Sequence, residues 1–348
     1  MELSIYHGVM KIIRFLLKVF LLFLVICFSA FAGAAVYYCA PLPEVLKSVL
    51  GIALFLNILC PFLLTSSWSK RLLYAAPALV VFFGWYLSIK PKMEAPWSKD
   101  VSVLPSAQIE GDKLIVKNIR NFHYRTDTDY DVLYYDKTYD LSQVQTMDLF
   151  LSYWGTTSIA HTIMSFGFAN GDHLAFSIEV RRKIGEEYSA VQGFFKKFEL
   201  IYVLVDERDV VGVRVNQRNE DVYLYRLKPS PEQTRKVLLS YIKSVQELDR
   251  GPKFYNALTT NCTTSILPHI EAIGPKLRFN RAMIENGFID KWRYDSGIWG
   301  FEIPFDEFRR RSHINEKVKQ AIDAPDFSAI IREGLPSIEY LSRQESKQ

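Results

Sequence analysis

The apolar positions divide the chain in two. Val19 to Ala40 carries no charge, nor does Ser48 to Ser69, whose apolar part ends at Leu64; Leu72 to Ile89 is a third uncharged run. Each is near the ~20 residues a helix needs to cross a bilayer. The first run follows Lys11, Arg14 and Lys18, as a signal peptide would, but it outlasts the usual h-region and two further runs follow at once. Three retained membrane helices are therefore expected. Lys70 and Arg71 lie between the second and third runs, whereas Glu44 and Lys47 cancel in the first loop. The positive-inside rule then puts the N-terminus in the cytoplasm and everything after Lys90 outside it.

Beyond a Pro-bearing linker, residues 91–105, the pattern turns to β from Ile109. Strands are predicted over Asp112–Asn118, Tyr130–Asp140, Thr146–Trp154, Ser158–Phe168, His173–Arg181, Phe198–Asp206, Val210–Val215 and Asp221–Leu227. Asp206 to Asp209 reads as a solvated charged turn. A long helix opens at Ser230 as N-cap, with Pro231 at N1 and Gln233 at N3, and stops at Gly251-Pro252. Val237, Leu238, Tyr241, Ile242, Val245 and Leu248 are its predicted buried face. A shorter helix, Ser265 to Ile273, stops at Gly274-Pro275. Strands followed by helices indicate an α+β fold. The expected partition is a membrane anchor over 1–90, the linker over 91–105, a catalytic domain over 106–274 and a C-terminal extension over 275–348.

Charge narrows the partners. A net charge of +4 with no basic stripe excludes a nucleic-acid binder. No His/Cys/carboxylate cluster has metal-ligand spacing, so no metal and no cofactor are expected. Cys27, Cys39 and Cys60 lie in or at the ends of the apolar runs, which leaves Cys262 as the one cysteine beyond the anchor. A lone thiol in an oxidising compartment is either paired with another chain or segment, or it is reactive.

Cys262 is the candidate nucleophile. Asn261 reads as the N-cap of the helix that follows, which makes Cys262 its first residue, where backbone N–H groups and the helix dipole favour a thiolate. Its own N–H is a candidate oxyanion donor, with Asn261 as a helper. A thiol nucleophile needs a base and the base needs an orienting group. His161 is the candidate base. A three-residue hairpin loop, Asn170 to Asp172, would set Ser165 opposite Ser177, Ile163 opposite Glu179 and His161 opposite Arg181. His161, Ser177 and Glu179 then share a face, and Glu179 is the candidate orienting carboxylate. A two-residue turn at Asn170-Gly171 would instead put His161 among Ile178 and Val180. His173 sits near the turn, too far along the strand to join the same site. Asn118, Arg120, Asn121 and Arg181 are candidate substrate-binding residues for a lipid head group. The structural alternatives are a buried packing cysteine, a hydrogen-bonded core histidine and a Glu179 that pairs with Arg181.

Several of these segments together resemble one family. Asn118 to Phe122, Asp148 to Trp154, Ile159 to Thr162, Ser165 to Phe168, Phe176 to Arg181, Tyr202 to Asp209 and Asn261 to Thr264 are similar to the Lnb N-terminal periplasmic domain. The resemblance covers the run from about Asp100 to Ile273. It implies a permuted papain-like fold, related to NlpC-type peptidases and lecithin:retinol acyltransferase, in which the strand histidine precedes the helix cysteine. It also implies a thiol acyltransferase that moves a fatty acyl chain from a lipid to the N-terminal amine of lipoproteins. The partners it implies are the bilayer, a phospholipid or diacylglyceryl acyl donor and a lipoprotein acceptor. The location it implies is the bacterial inner membrane, with the C-terminal domain in the periplasm. The competing readings are an exported cysteine hydrolase or amidase of the cell envelope, and a non-catalytic membrane-anchored binding domain.

Overall fold

A computed structural model describes residues 2–274, 285–297, 299 and 303–336, and resolves into two units. Pro275, the expected stop of the last short helix, lies outside the described residues.

The first unit holds three helices, α1 (Glu2–Cys39), α2 (Glu44–Leu64) and α3 (Trp68–Ser88), each long and apolar enough to cross a membrane. α1 begins well before the charge-free run, because lysine and arginine are good helix formers and continue the helix upstream. α1 and α2 approach closely at a pair of glycines. A Cβ on Gly33 would sit 2.8 Å from the Gly51 carbonyl oxygen, and one on Gly51 would sit 2.7 Å from that of Gly33. Small residues at such a crossing let two apolar helices pack backbone to backbone. The unit also takes in Ser189 to Lys197, a segment whose Phe195 is buried among helix side chains.

The second unit is built on a sheet. Its strands are β1 (Ser106–Glu110), β2 (Lys113–Arg120), β5 (Tyr134–Asp140), β6 (Val144–Tyr153), β7 (Ala160–Phe168), β8 (His173–Arg181), β9 (Glu199–Val205) and β10 (Asp221–Arg226). β3 (His123–Tyr124) and β4 (Tyr130–Asp131) form a separate small pair. The order across the sheet is β1-β2-β9-β8-β7-β6-β10, with β5 also on β2. All pairs are antiparallel except β2 with β9.

Both faces are covered, which is why the central strands are apolar on each side. On one face Leu151, Met164, Phe166 and Phe176 pack under α5 (Pro231–Arg250), whose buried side chains are those expected from its spacing. Ser230 and Gln233 complete its capping box. Cys262, Ile266 and Ile270 lie against the same core. On the other face Ile163, Ile201 and Val203 pack under α4 (Glu207–Gly212) and a π-helical turn, Val213–Gln217. The remaining helices are α6 (Leu267–Ile270), α7 (Ile289–Asp295), α8 (Phe305–Ser312), α9 (Asn315–Ala321) and α10 (Phe327–Ile330). α9 and α10 add Val318 and Phe327 to the second core, so the described part of 275–348 completes the domain.

Three expectations change. Val210–Val215 is helical, not a strand: Asp206 accepts from the Arg208 N–H and caps α4, and the valines pack on the sheet from there. Tertiary burial overrides their β propensity. Asp206 to Asp209 is no solvated turn, since Glu207 and Asp209 are each only 1% exposed. The helix expected over Ser265–Ile273 shortens to α6 plus turns, because Pro268 supplies no N–H to extend it upstream.

Candidate active site

The site begins with the β7–β8 register. Ile163 pairs with Ser177 and Gly167 with His173. Phe168 N–H bonds the Asp172 carbonyl, so the loop is Ala169-Asn170-Gly171. The pairing therefore differs by two residues from the three-residue-loop expectation. Strand side chains alternate with a period of two, so a shift of two leaves every side chain on its expected face. His161, Ser177 and Glu179 do share a face.

They are joined in a chain. The Ser177 hydroxyl donates to Glu179 Oε1 at 2.6 Å, and His161 Nε2 lies 2.8 Å from Ser177 Oγ. Because the serine proton is spent on the carboxylate, Nε2 must be the donor to Ser177. Nδ1 is then the unprotonated ring nitrogen. The carboxylate therefore acts through a serine, 3.9 Å from the ring, and fixes the tautomer. Arg214, carried by the π-helical turn, lies 3.5 Å from Glu179 Oε1. Ser152, which pairs with His161 across β6–β7, donates to Glu220 at 2.5 Å.

These neighbours set the charge states. Burial first and Arg214 second push the His161 pKa down to about 3, against the opposing pull of Glu179. The imidazole is neutral at neutral pH. Burial alone would raise the Glu179 pKa, but Arg120, Arg214 and His161 hold it well below the usual carboxylate range.

Cys262 lies on the other side of the sheet, in a tight turn. Asn261 Oδ1 accepts from the N–H groups of Thr263 (2.9 Å) and Thr264 (2.8 Å), and Thr264 Oγ1 accepts from the Asn261 N–H. Asn261 thus caps a turn and not a helix: α6 begins only at Leu267, so Cys262 is not the first helical residue that the sequence led one to expect. Asn261 Nδ2 donates one N–H to the Ala257 carbonyl at 2.7 Å. The N–H of Cys262 has no partner among the described residues.

Asn286 connects the two halves. Its Oδ1 accepts from the Ala160 N–H at 2.8 Å; its Nδ2 donates to the Ala160 carbonyl and to Thr263 Oγ1, each at 2.5 Å, and lies 4.0 Å from the Cys262 sulfur. Ala160 precedes His161 on β7. Gly287 allows this approach, since a Cβ there would lie 2.2 Å from the Thr157 carbonyl oxygen. The structure thus brings His161, Ser177 and Glu179 together and brings the Cys262 turn to the adjacent strand residue. The sulfur and the imidazole themselves are not in contact.

The four candidate head-group residues fare differently. Arg120 is buried and forks onto Asp209 at 2.9 and 3.1 Å. Arg181 donates to the carbonyls of Met93, Val101 and Ser102 and stacks over Trp97 at 4.5 Å, which binds the 91–105 segment to β8. Asn118 occupies a left-handed bulge (φ 60°) and donates to the Leu104 carbonyl. The guanidinium nitrogens of Arg120 and Arg181 are thus spent inside the domain, whereas the Asn118 side chain uses only its amide nitrogen there. Asn121 is half-buried, and its backbone N–H bonds the Leu133 carbonyl. Sequence reading missed Arg214, whose segment looks like a strand, and Asn286, whose one signal is the turn-forming Asn286-Gly287 pair.

The described residues hold no group of three or more His, Cys, Asp or Glu placed to bind a metal ion. Three apolar helices ahead of a strand-rich α+β domain define a membrane protein whose folded domain carries one cysteine, Cys262, and a histidine, His161, tethered through Ser177 to a carboxylate. Over residues 130–295 the chain matches the family model described as the Lnb N-terminal periplasmic domain. It is accordingly a membrane protein with a periplasmic domain. The match starts after Asn118 to Phe122 and ends past Asn286. No curated protein and no solved structure matches the chain.

Proposed function

We propose that this protein is a multi-pass inner-membrane thiol acyltransferase. Its periplasmic domain, a permuted papain-like fold, takes a fatty acyl chain from a lipid ester and delivers it to the N-terminal amine of a lipoprotein. The observation that carries this reading is the Asn286 bridge, which holds the Cys262 turn against the strand residue next to His161.

The Cys262 sulfur attacks the ester carbonyl carbon, and His161 Nδ1 takes the thiol proton. The carbonyl oxygen, now negative, is received by the unpaired Cys262 N–H. The ester C–O bond breaks, and His161 returns the proton to the departing alcohol. The acceptor amine then attacks the thioester, loses its proton to His161 and releases the thiolate. Sulfur and ring start on opposite faces of β7, so the proposal requires the Cys262 turn and the ring to meet around the N-terminal end of that strand, beside Ala160, when substrate binds. That turn has no sheet ladder to break, which makes it the cheaper element to move. Three helices tether the site to a bilayer that contains both lipid-anchored substrates, which raises their effective concentration.

The test is acyl transfer from a radiolabelled phospholipid to a lipopeptide amine, using the full-length protein in vesicles. Wild type should label the lipopeptide, Cys262→Ser should not, and Asn286→Ala should fall by about a hundredfold, since a misplaced nucleophile costs that order. Label released as free fatty acid whether or not the amine is present would make the protein a hydrolase. Full transfer by Cys262→Ser would overturn the thiol mechanism.

A further inference from the structure

We propose that the turn Val191 to Phe194 is an interfacial membrane anchor whose partner is the lipid bilayer itself. Val191 and Phe194 enter the boundary between head groups and acyl chains beside the three helices. The inference does not depend on the catalytic reading.

The argument starts from what fixes the segment. Ser189 to Lys197 packs with the helices, although it lies in the chain between β8 and β9. Phe195 is buried, its ring stacked 5.3 Å from that of Phe31 and tilted against that of Tyr38 at 5.2 Å. The Lys196 ammonium donates to the carbonyls of Tyr86 at 2.8 Å and Ile89 at 3.3 Å. Those carbonyls end α3, where a helix has unsatisfied acceptors and the negative end of its dipole. Every one of these contacts lies in the C-terminal part of α1 or α3.

That level of the helices has a marker of depth. Tyr37 and Tyr38 on α1 and Trp85 and Tyr86 on α3 form the kind of aromatic girdle that sits at a membrane–water boundary. A segment clamped there by Phe195 and Lys196 is held at head-group depth. From this position Val191 is 55% exposed and Phe194 46% exposed. Apolar side chains exposed at that depth partition into the interface rather than into water.

The experiment places an environment-sensitive dye on the full-length protein in phosphatidylcholine vesicles. The native cysteines, Cys27, Cys39, Cys60 and Cys262, are changed to serine, and Val191→Cys or Phe194→Cys is labelled with a nitrobenzoxadiazole dye. Val80→Cys, 71% exposed in mid-α3, serves as the lipid-embedded reference. Both test positions should give blue-shifted emission. Lipids spin-labelled at acyl carbon 5 should quench it about twofold, while aqueous iodide leaves it nearly unchanged. Water-like emission with strong iodide quenching at Val191 or Phe194, while Val80 behaves as embedded, would overturn the proposal.

Discussion

At the residue scale the proposed chemistry turns on the charge state of His161. Its pKa is pushed down to about 3, so the acid limb of kcat/KM should lie far below the ~6.5 of a free imidazole. Arg214 is one of the groups that lower it, so Arg214→Gln should move that limb to higher pH. A wild-type limb near the free-imidazole value, unmoved in Arg214→Gln, would contradict the assigned site. The sign for stability follows from the same shift. The folded ring resists protonation and the unfolded ring does not, so stability present above about 6.5 is lost as the pH falls toward about 3. His161 and Glu179 were legible in the sequence because strand alternation survives a register error of two. Arg214 was not, because its place on that face depends on a π-helical turn whose valines read as a strand.

At the element scale, two helix starts show where local signals suffice and where they do not. α5 announces itself through Ser230, Pro231 and Gln233 and needs nothing from the rest of the fold. α4 has an equally good cap in Asp206, but its charges look like a surface turn until their partner is seen. For Glu207 that partner is Arg332, just past α10, which bonds it at 2.8 Å and also bonds Asp148 at 2.9 Å. No local pattern connects positions so far apart. Against burial, Arg332 and His173 hold the Glu207 pKa down to about 2. Arg332→Leu should therefore destabilise the fold by about 3–5 kcal/mol at neutral pH, since it strands a buried carboxylate. Glu207 favours folding above about pH 4.5 and loses that contribution as the pH falls toward about 2. The defect should shrink in acid as the stranded carboxylate protonates, as urea unfolding at several pH values would show. A defect of the same size at all pH values would mean that Arg332 acts through packing alone.

At the scale of the whole molecule, the three apolar runs were the plainest feature of the sequence, and the helices extend them. The expected partition at residue 90 was too simple: Ser189 to Lys197 joins the helices, and the segment read as a linker is bonded into the domain by Arg181. Orientation rests on Lys11, Arg14, Lys18, Lys70 and Arg71. Alkaline phosphatase, active only after export, should be active when fused after Leu104. A stable but inactive fusion would place the domain in the cytoplasm and remove the basis for reading Cys262 as an exported thiol.

The claim that Cys262 carries the acyl chain is tested most directly by intact-protein mass spectrometry after brief exposure to an ester lipid without an amine acceptor. Wild type should gain the mass of one acyl group, on a peptide that contains Cys262, and lose it to hydroxylamine at neutral pH as a thioester does. Cys262→Ser should show no such hydroxylamine-labile adduct. An unmodified wild-type protein that still transfers acyl chains to an amine, or an adduct that remains in Cys262→Ser, would contradict the account.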